Sequence, residues 1–488
     1  MPISFSSFPV TLRTPGVHVE FDPSRAVQGL DVVPFKVLLM GVNATVAGSA
    51  TEAVPLLLTN QAQAELLFGA GGQLTRMYRK FRANNRFTEV WAVPWDSSGT
   101  AAIIAATFVG TATAAGTVFL YVDGERIAVN VASGDTETEV AAAVVLAVNA
   151  DSTLPVTAAN VAGLLSLTVK WAGVDGDDMP VRINFHQGEE LPAGITIGAF
   201  AATTPGVGTY AVSTLLAGLG ETQYHLIGFP HRDPVEVAAL EVELVDRWGP
   251  IRQNDGTVVA ATNQNITDSV TLGGARNSEQ SVIVGGTAVE ALAASLVGAV
   301  LGQVADKGNQ DPARPFQTLP LAGILAPRQE DRPTLSELDT LLHNGISTLE
   351  ADEAGVMRIQ RLITTYQTDP ASNPDTAYLN LNTKLTLSLL RAQFRSRFST
   401  KFGRHKLAGD DAEIGSGQAV VTPQLARSEA IAIFRDWEQA GYVENVSQFK
   451  ADLIVERNTT NPDRLDILLP PDLVNQLRQV GTLLQFRL

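Results

Sequence analysis

Residues Val33–Val42 are apolar at every position except Lys36. A strand with this pattern must be covered on both faces, which is the condition of a parallel sheet sandwiched between helices. Its surroundings agree. Gln61–Phe68 and Leu74–Ala83 read as helices, the first closed by Gly69-Ala70-Gly71-Gly72, and Glu89–Val93 reads as a strand stopped by Pro94. The same alternation returns further on. Val207–Leu219 is expected to be helical and Tyr224–Phe229 a strand. Pro234–Trp248 is a helix with Pro at its start and Gly249-Pro250 after its end. Thr257–Ala261 and Ser281–Val284 follow as strands and Thr287–Val304 as a buried helix. Strands alternating with helices predict an α/β core with a largely parallel sheet, discontinuous over 26–100 and 206–360.

Between the two halves, 101–205 is dominated by Ala, Thr, Val and Gly. Short alternating strands such as Thr117–Asp123, Arg126–Val131, Leu165–Trp171 and Pro180–Phe185, with one helix at Thr136–Asn149, predict an inserted β-rich domain. Residues 361–480 change character again. Helices at Leu379–Phe398 and Gln424–Ala440, strands at Lys450–Arg457 and Arg464–Leu469, and a short Asp472–Leu477 helix make an α+β C-terminal domain.

The ends look like arms. Residues 1–25 are rich in Ser, Pro and Thr, and within them Val17, Val19 and Phe21 share one face of a short strand. Residues 481–488 alternate likewise, with Leu484, Phe486 and Leu488 on one face. Unpaired strands at both ends suit addition to an open sheet edge, in the same chain or in a neighbour.

Charge and chemistry narrow the function. Lys and Arg total 35 against 51 Asp and Glu, a formal net charge of −16, which argues against a general nucleic-acid binder. There is no cysteine, so disulfides, thiolate catalysis and Cys-ligated zinc are excluded. Met1–Phe5 carries no signal-peptide pattern, and the apolar run between Glu290 and Asp306 is too short to span a bilayer. Gly69–Gly72 follows a helix and lacks a phosphate-loop lysine, so it reads as a helix stop. Asp175-Gly176-Asp177-Asp178 resembles half of a calcium loop without its closing glutamate and reads as a solvated turn. His231-Arg232-Asp233, at a strand end, is the best position for a catalytic site, although a capped turn into the next helix explains the same residues. One basic run stands out: Arg391, Arg395, Arg397, Lys401, Arg404 and Lys406, with no acid among them and with Phe394, Phe398 and Phe402 between. It is either a solvated helix face with its phenylalanines in the core, or a docking surface for an acidic partner.

Several blocks together resemble the tail sheath proteins of contractile-tailed bacteriophages, most closely the Mu-like branch. They are Thr14-Pro15-Gly16-Val17-His18-Val19-Glu20, Asp246-Arg247-Trp248-Gly249-Pro250, Asp311-Pro312-Ala313-Arg314-Pro315 and Asn344-Gly345-Ile346-Ser347-Thr348. The segments Arg358–Gln367, Asp452–Asn458 and Leu468–Leu477 add to the likeness. The resemblance implies a structural protein without cofactor or catalytic site. Its subunits would form a helical homopolymer around a tail tube protein, bounded by baseplate and tail terminator proteins, in a virion tail assembled in the host cytoplasm. It also implies that both terminal arms add strands to neighbouring subunits, with hinges at 22–30 and near Gly481. The segment 101–205 becomes an outer domain, decorative or receptor-binding, and the basic run becomes a candidate contact with the inner tube. The alternative is a cytosolic α/β enzyme with its site near His231.

Overall fold

The computed structural model describes residues 34–44, 48–95, 99–208, 211–231, 233–286, 288–413, 415 and 417–487. Val17, Val19, Phe21, Leu488 and the hinge expected at 22–30 lie outside the described residues. The described chain divides into a larger unit, 34–388 with 475–487, and a smaller unit, Leu389–Val474.

The larger unit is built on a nine-stranded sheet. Its first part holds β1 (Lys36–Val42), β2 (Leu56–Leu58), α1 (Gln61–Phe68), α2 (Gln73–Asn84) and β3 (Glu89–Trp95). In β1, Val37 and Leu39 join one hydrophobic cluster while Leu38, Met40 and Val42 join another, as two-sided burial requires. β3 runs on through Pro94. The antiparallel neighbour β2 pairs only with Val90–Ala92, so Pro94 lies beyond it and its missing N–H breaks no bond on that side.

An insertion follows: β4 (Gly99–Gly110), β5 (Gly116–Val122), β6 (Glu125–Val131), α3 (Glu137–Ala150), β7 (Val156–Val161), β8 (Leu164–Ala172), β9 (Val181–Ile183), β10 (Ile195–Ile197), β11 (Ala201–Thr204) and β12 (Val207–Gly208). The long β4 pairs antiparallel with β8, β10, β11 and β12, and a second sheet has the order β6-β5-β9. Helix α3 starts in a capping box in which Thr136 and Glu139 satisfy each other's backbone N–H. Val207, expected to start a helix, instead pairs with Thr100, and the helix begins at Val212.

The sequence pattern suggests a separate inserted domain, but the packing joins it to the body. Phe108, Leu120, Val144, Leu167 and Trp171 of the insertion share one cluster with Leu38, Met40, Val93 and Phe229 of the sheet. A buried charge network adds a second link. Asp123 accepts from Arg76 Nε at 2.6 Å, Ser295 Oγ at 2.6 Å and Leu292 N at 2.7 Å, and Lys80 donates to Glu125 at 2.8 Å. Burial alone would raise the Glu125 pKa, but Lys80 and then Arg76 hold it below the usual carboxylate value.

The sheet then resumes with α4 (Val212–Leu219), β13 (Leu226–Gly228), α5 (Pro234–Trp248), β14 (Thr257–Ala261), α6 (Ile266–Gly274), β15 (Ser281–Val284), α7 (Ala293–Gln310), β16 (Pro320–Leu325), α8 (Leu335–His343), β17 (Ile346–Ala351) and β18 (Val356–Arg361). The strand order is β16-β18-β17-β15-β14-β13-β1-β3-β2; the run from β17 to β3 is parallel and both margins are antiparallel. Leu362, Leu381 and Leu385 belong to the core of this unit, so the division falls after Ser388 rather than at 361.

The smaller unit contains most of α9 (Leu381–Phe402), then β19 (Lys406–Leu407), β20 (Val420–Val421), α10 (Pro423–Gln439), β21 (Val443–Glu444), α11 (Val446–Asp452), β22 (Ile454–Arg457), β23 (Leu465–Leu468) and β24 (Asp472–Leu473). Its core gathers Leu390, Ile433, Phe434, Trp437 and Phe449, with Phe394 and Phe398 against it. Two expectations are corrected here. Residues 450–452 end a helix, because Phe449 must reach the core, where it stacks on Phe434 at 4.0 Å. Asp472-Leu473 is a strand, held by the pairing of Leu473 with Val443.

Candidate assembly interface

After Leu473 the chain runs to 487 without helix or strand. Its first residues are tied to the larger unit. Gln476 donates to the Ala313 carbonyl at 3.1 Å, Gln317 to the Leu477 carbonyl at 3.5 Å, and Arg478 to Asn382 Oδ1 at 3.3 Å. From Gln479 to Arg487 every residue is exposed, including Leu484 at 80% and Phe486 at 77%. Two large apolar side chains with alternating spacing therefore have no sheet to pack on among the described residues.

Open strand edges exist, and they differ in kind. At one margin of the large sheet, side chains occupy the backbone of β16. Asn84 bonds both the N–H and the carbonyl of Ala322, Lys80 bonds the Gly323 carbonyl, and Gln303 bonds the Pro320 carbonyl. That edge is closed to a further strand. The β22–β23 hairpin is different. It is a sheet of two strands, and no side chain bonds the backbone of either strand among the described residues. Val455 and Ile467 turn toward the core, while the cross-strand pair Ile454 and Leu468 is more than half exposed.

The basic run lies mainly on α9, and it is not one surface. Arg397 Nε bonds Glu429 at 2.7 Å, its Nη1 bonds Asp436 at 3.1 Å, and Lys401 also pairs with Glu429. Burial would raise the Glu429 pKa, but Lys401 and Arg397 hold it low; burial works against the Arg397 charge, and Glu429 with Asp436 raises its pKa nonetheless. Both acids belong to α10, seven residues apart and so on one helix face. That spacing is the signal in the sequence that would have found them. Arg391 is half-buried, whereas Arg395, Arg404 and Lys406 are exposed, Lys406 bonding Gln418 at 3.4 Å. Phe394 and Phe398 stack at 4.3 Å against the core.

The position near His231 is filled. The strand order reverses between β1 and β13, where an open α/β sheet has its ligand crevice. Here His231 is fully buried and paired with Asp175, with Trp95 at 4.7 Å and Phe229 at 5.2 Å. Asp175 is thus a buried plug from the insertion, not part of a solvated turn. The cavity remaining between Gln73, Trp171, Asp175 and Pro230 is about 10 Å³. Asp233 caps α5, accepting from Val235 N at 2.9 Å. Gly69 ends α1 with a positive φ of 85°, and its N–H bonds the Glu65 carbonyl.

Comparison with known proteins adds the family. A model of the phage tail sheath protein central domain matches residues 206–365, and one of the phage tail sheath C-terminal domain matches residues 373–487. The Mu-like prophage FluMu tail sheath protein of Haemophilus influenzae is 36% identical over 488 residues, covering 100% of both chains. Among solved structures, the sheath tail protein of Desulfitobacterium hafniense superposes with a TM-score of 0.50 at 12% identity, over 95% of this chain and 97% of that one. The helical sheath of the anti-feeding prophage in its contracted state gives 0.50 at 11% identity, over 98% and 99%.

Proposed function

This chain belongs to the phage tail sheath protein family, and from that premise we propose how it assembles and works. It is a structural sheath subunit of a virion tail and not an enzyme. In this reading the subunits polymerise helically around an inner tail tube protein, between baseplate and terminator proteins, after synthesis in the host cytoplasm. Contraction then drives the tube through the host envelope. The full-length identity with the FluMu tail sheath protein carries the proposal.

Exchanged strands link the subunits. The exposed Leu484 and Phe486, with Leu488, add to a β22–β23 hairpin of a neighbouring copy, and the strand containing Val17, Val19 and Phe21 makes a second such link. Main-chain ladder bonds depend little on the rest of the subunit, so an arm stays paired while the bodies rotate. Burying a Leu or Phe side chain contributes about 1.5–3 kcal/mol, enough for two or three residues to hold a clasp. The energy for contraction comes from the extended packing relaxing to one that buries more surface, with no nucleotide.

On the tube side, Arg391, Arg395, Arg404 and Lys406 are the candidates for contact; Arg397 and Lys401 pair with Glu429. Electron microscopy of the purified chain tests the whole reading: hollow helical tubes are expected, and a discrete small oligomer would refute it. Deleting residues 481–488 is expected to abolish the tubes. Normal tubes from the truncated chain would remove the arm from the mechanism.

A further inference from the structure

Two guanidinium groups at the root of the C-terminal arm lack an acidic partner among the described residues. Arg361, at the end of β18, donates from Nη2 to Asn380 Oδ1 at 3.4 Å. Arg478 donates to Asn382 Oδ1 at 3.3 Å and to Gln476 Oε1. Asn380 and Asn382 are two residues apart at the start of α9, so both arginines converge on one short stretch of chain. All three acceptors are neutral amides. The Nε of each arginine is buried without a hydrogen-bond partner among the described residues. Neither forms an ion pair among the described residues; Asp339 favours the Arg361 charge only from a distance. Burial lowers the pKa of both, and the positive charge of Arg361 adds to the lowering at Arg478.

This is unlike other arginines of the same unit. Arg76 has Asp123, Arg247 has Glu243, Arg276 has Glu241 and Arg358 has Asp352. A partly buried charge held only by neutral groups loses hydration with little Coulomb return. Within the described residues the arrangement is unfavourable, and a carboxylate would reverse that.

We infer that Arg361 and Arg478 form a two-guanidinium socket for a carboxylate side chain of a second copy of this chain, filled on assembly. The inference rests on the polymeric reading above. Three observations select the occupant. Planar guanidinium forks match a carboxylate with two parallel hydrogen bonds. Acidic residues outnumber basic ones 51 to 35, so a neighbouring copy presents carboxylates in excess. Arg478 immediately precedes the exposed segment 479–487, so whatever receives the arm lies a few residues from the socket.

The test compares full-length wild type with Arg361→Gln, Arg478→Gln, Arg478→Lys and the exposed control Arg86→Gln. Critical concentration is read by sedimentation, and melting temperature is read below it. The two glutamine variants are expected to raise the critical concentration at least about tenfold, because one partner of a desolvated charge pair is lost. Arg478→Lys should fall between, and Arg86→Gln should match wild type. The unassembled glutamine variants should melt at or above the wild-type temperature, since one of two like charges has gone. Variants that assemble at the wild-type concentration overturn the socket, as does a lower melting temperature that tracks the assembly defect. Inorganic phosphate that stabilises unassembled wild type but not Arg478→Gln, with assembly unchanged, also overturns it, marking an anion site of the single chain. If wild type itself forms no polymer, the sheath reading fails first; normal wild-type tubes with unaffected variants overturn this inference alone.

Discussion

At the scale of single residues, Asp123 shows how much of this fold depends on pairing buried charge. Its carboxylate meets Arg76, Ser295 and the Leu292 N–H, and neither Asp123 nor Arg76 reaches solvent to any extent. Asp123→Ala is therefore expected to cost about 3–5 kcal/mol, because Arg76 stays buried without its partner. Denaturant midpoints check this, and Asp123→Ala with Arg76→Met should recover much of the loss. His225 gives the pH counterpart. Its Nδ1 accepts from the Lys36 N–H at 3.1 Å, which fixes a neutral ring, and Phe35 stacks on it at 5.1 Å. Burial, then the Lys36 charge, pushes its pKa from 6.5 down to about 4. The unfolded chain takes up the proton first. Stability should thus fall as pH drops through about 6.5 and go on falling until about 4, by about 3 kcal/mol in all. Melting curves across that window, with His225→Gln flattening the acid side, measure the effect.

At the scale of elements, the pair α2 and α7 sets the helical layer on one face of the sheet. A Cβ on Gly298 would overlap the Met77 carbonyl oxygen, and one on Gly302 would come 2.7 Å from Asn84 Cβ. The helices approach closely because these two positions, one turn apart, carry no side chain. Gly298→Ala should cost about 1–3 kcal/mol through overpacking, and Gly298→Val more, visible as lower melting temperatures. The same helix marks the boundary of what the sequence discloses. Its apolar character predicts a buried helix over Thr287–Val304, and a buried helix is present, but at Ala293–Gln310. Its start is fixed by the bond from Leu292 N–H to Asp123, 169 residues earlier, which no local pattern announces. The helix at Pro234–Trp248 and the strands at Thr257–Ala261 and Ser281–Val284, whose signals are local, fall where the pattern puts them. The candidate interface divides the same way. The alternation of Leu484 and Phe486 is plain in the sequence, whereas the loss of Arg397 and Lys401 to Glu429 depends on two helices meeting.

At the scale of the whole molecule, the division between removable and integral parts does not follow the chain's composition. The segment 99–208 differs from its surroundings in composition and has sheets of its own, which are the marks of an independent domain. Yet its Trp171 and Asp175 fill the crevice at the sheet's switch point, Asp123 neutralises Arg76, and its apolar residues complete a cluster begun by β1 and β3. Replacing it with a short Gly/Ser linker leaves Arg76 and Lys80 without Asp123 and Glu125 and uncovers Leu38, Met40 and Val42. That chain should be insoluble or bind hydrophobic dye, with its near-UV dichroism lost. Removing 479–488 takes away only side chains that are exposed as far as they are described, so that chain should melt at the wild-type temperature and fail only in assembly. The two deletions together separate folding from polymerisation. A stable, tube-forming chain without 99–208 would mean that the shared cluster is dispensable and that the insertion only decorates the sheath.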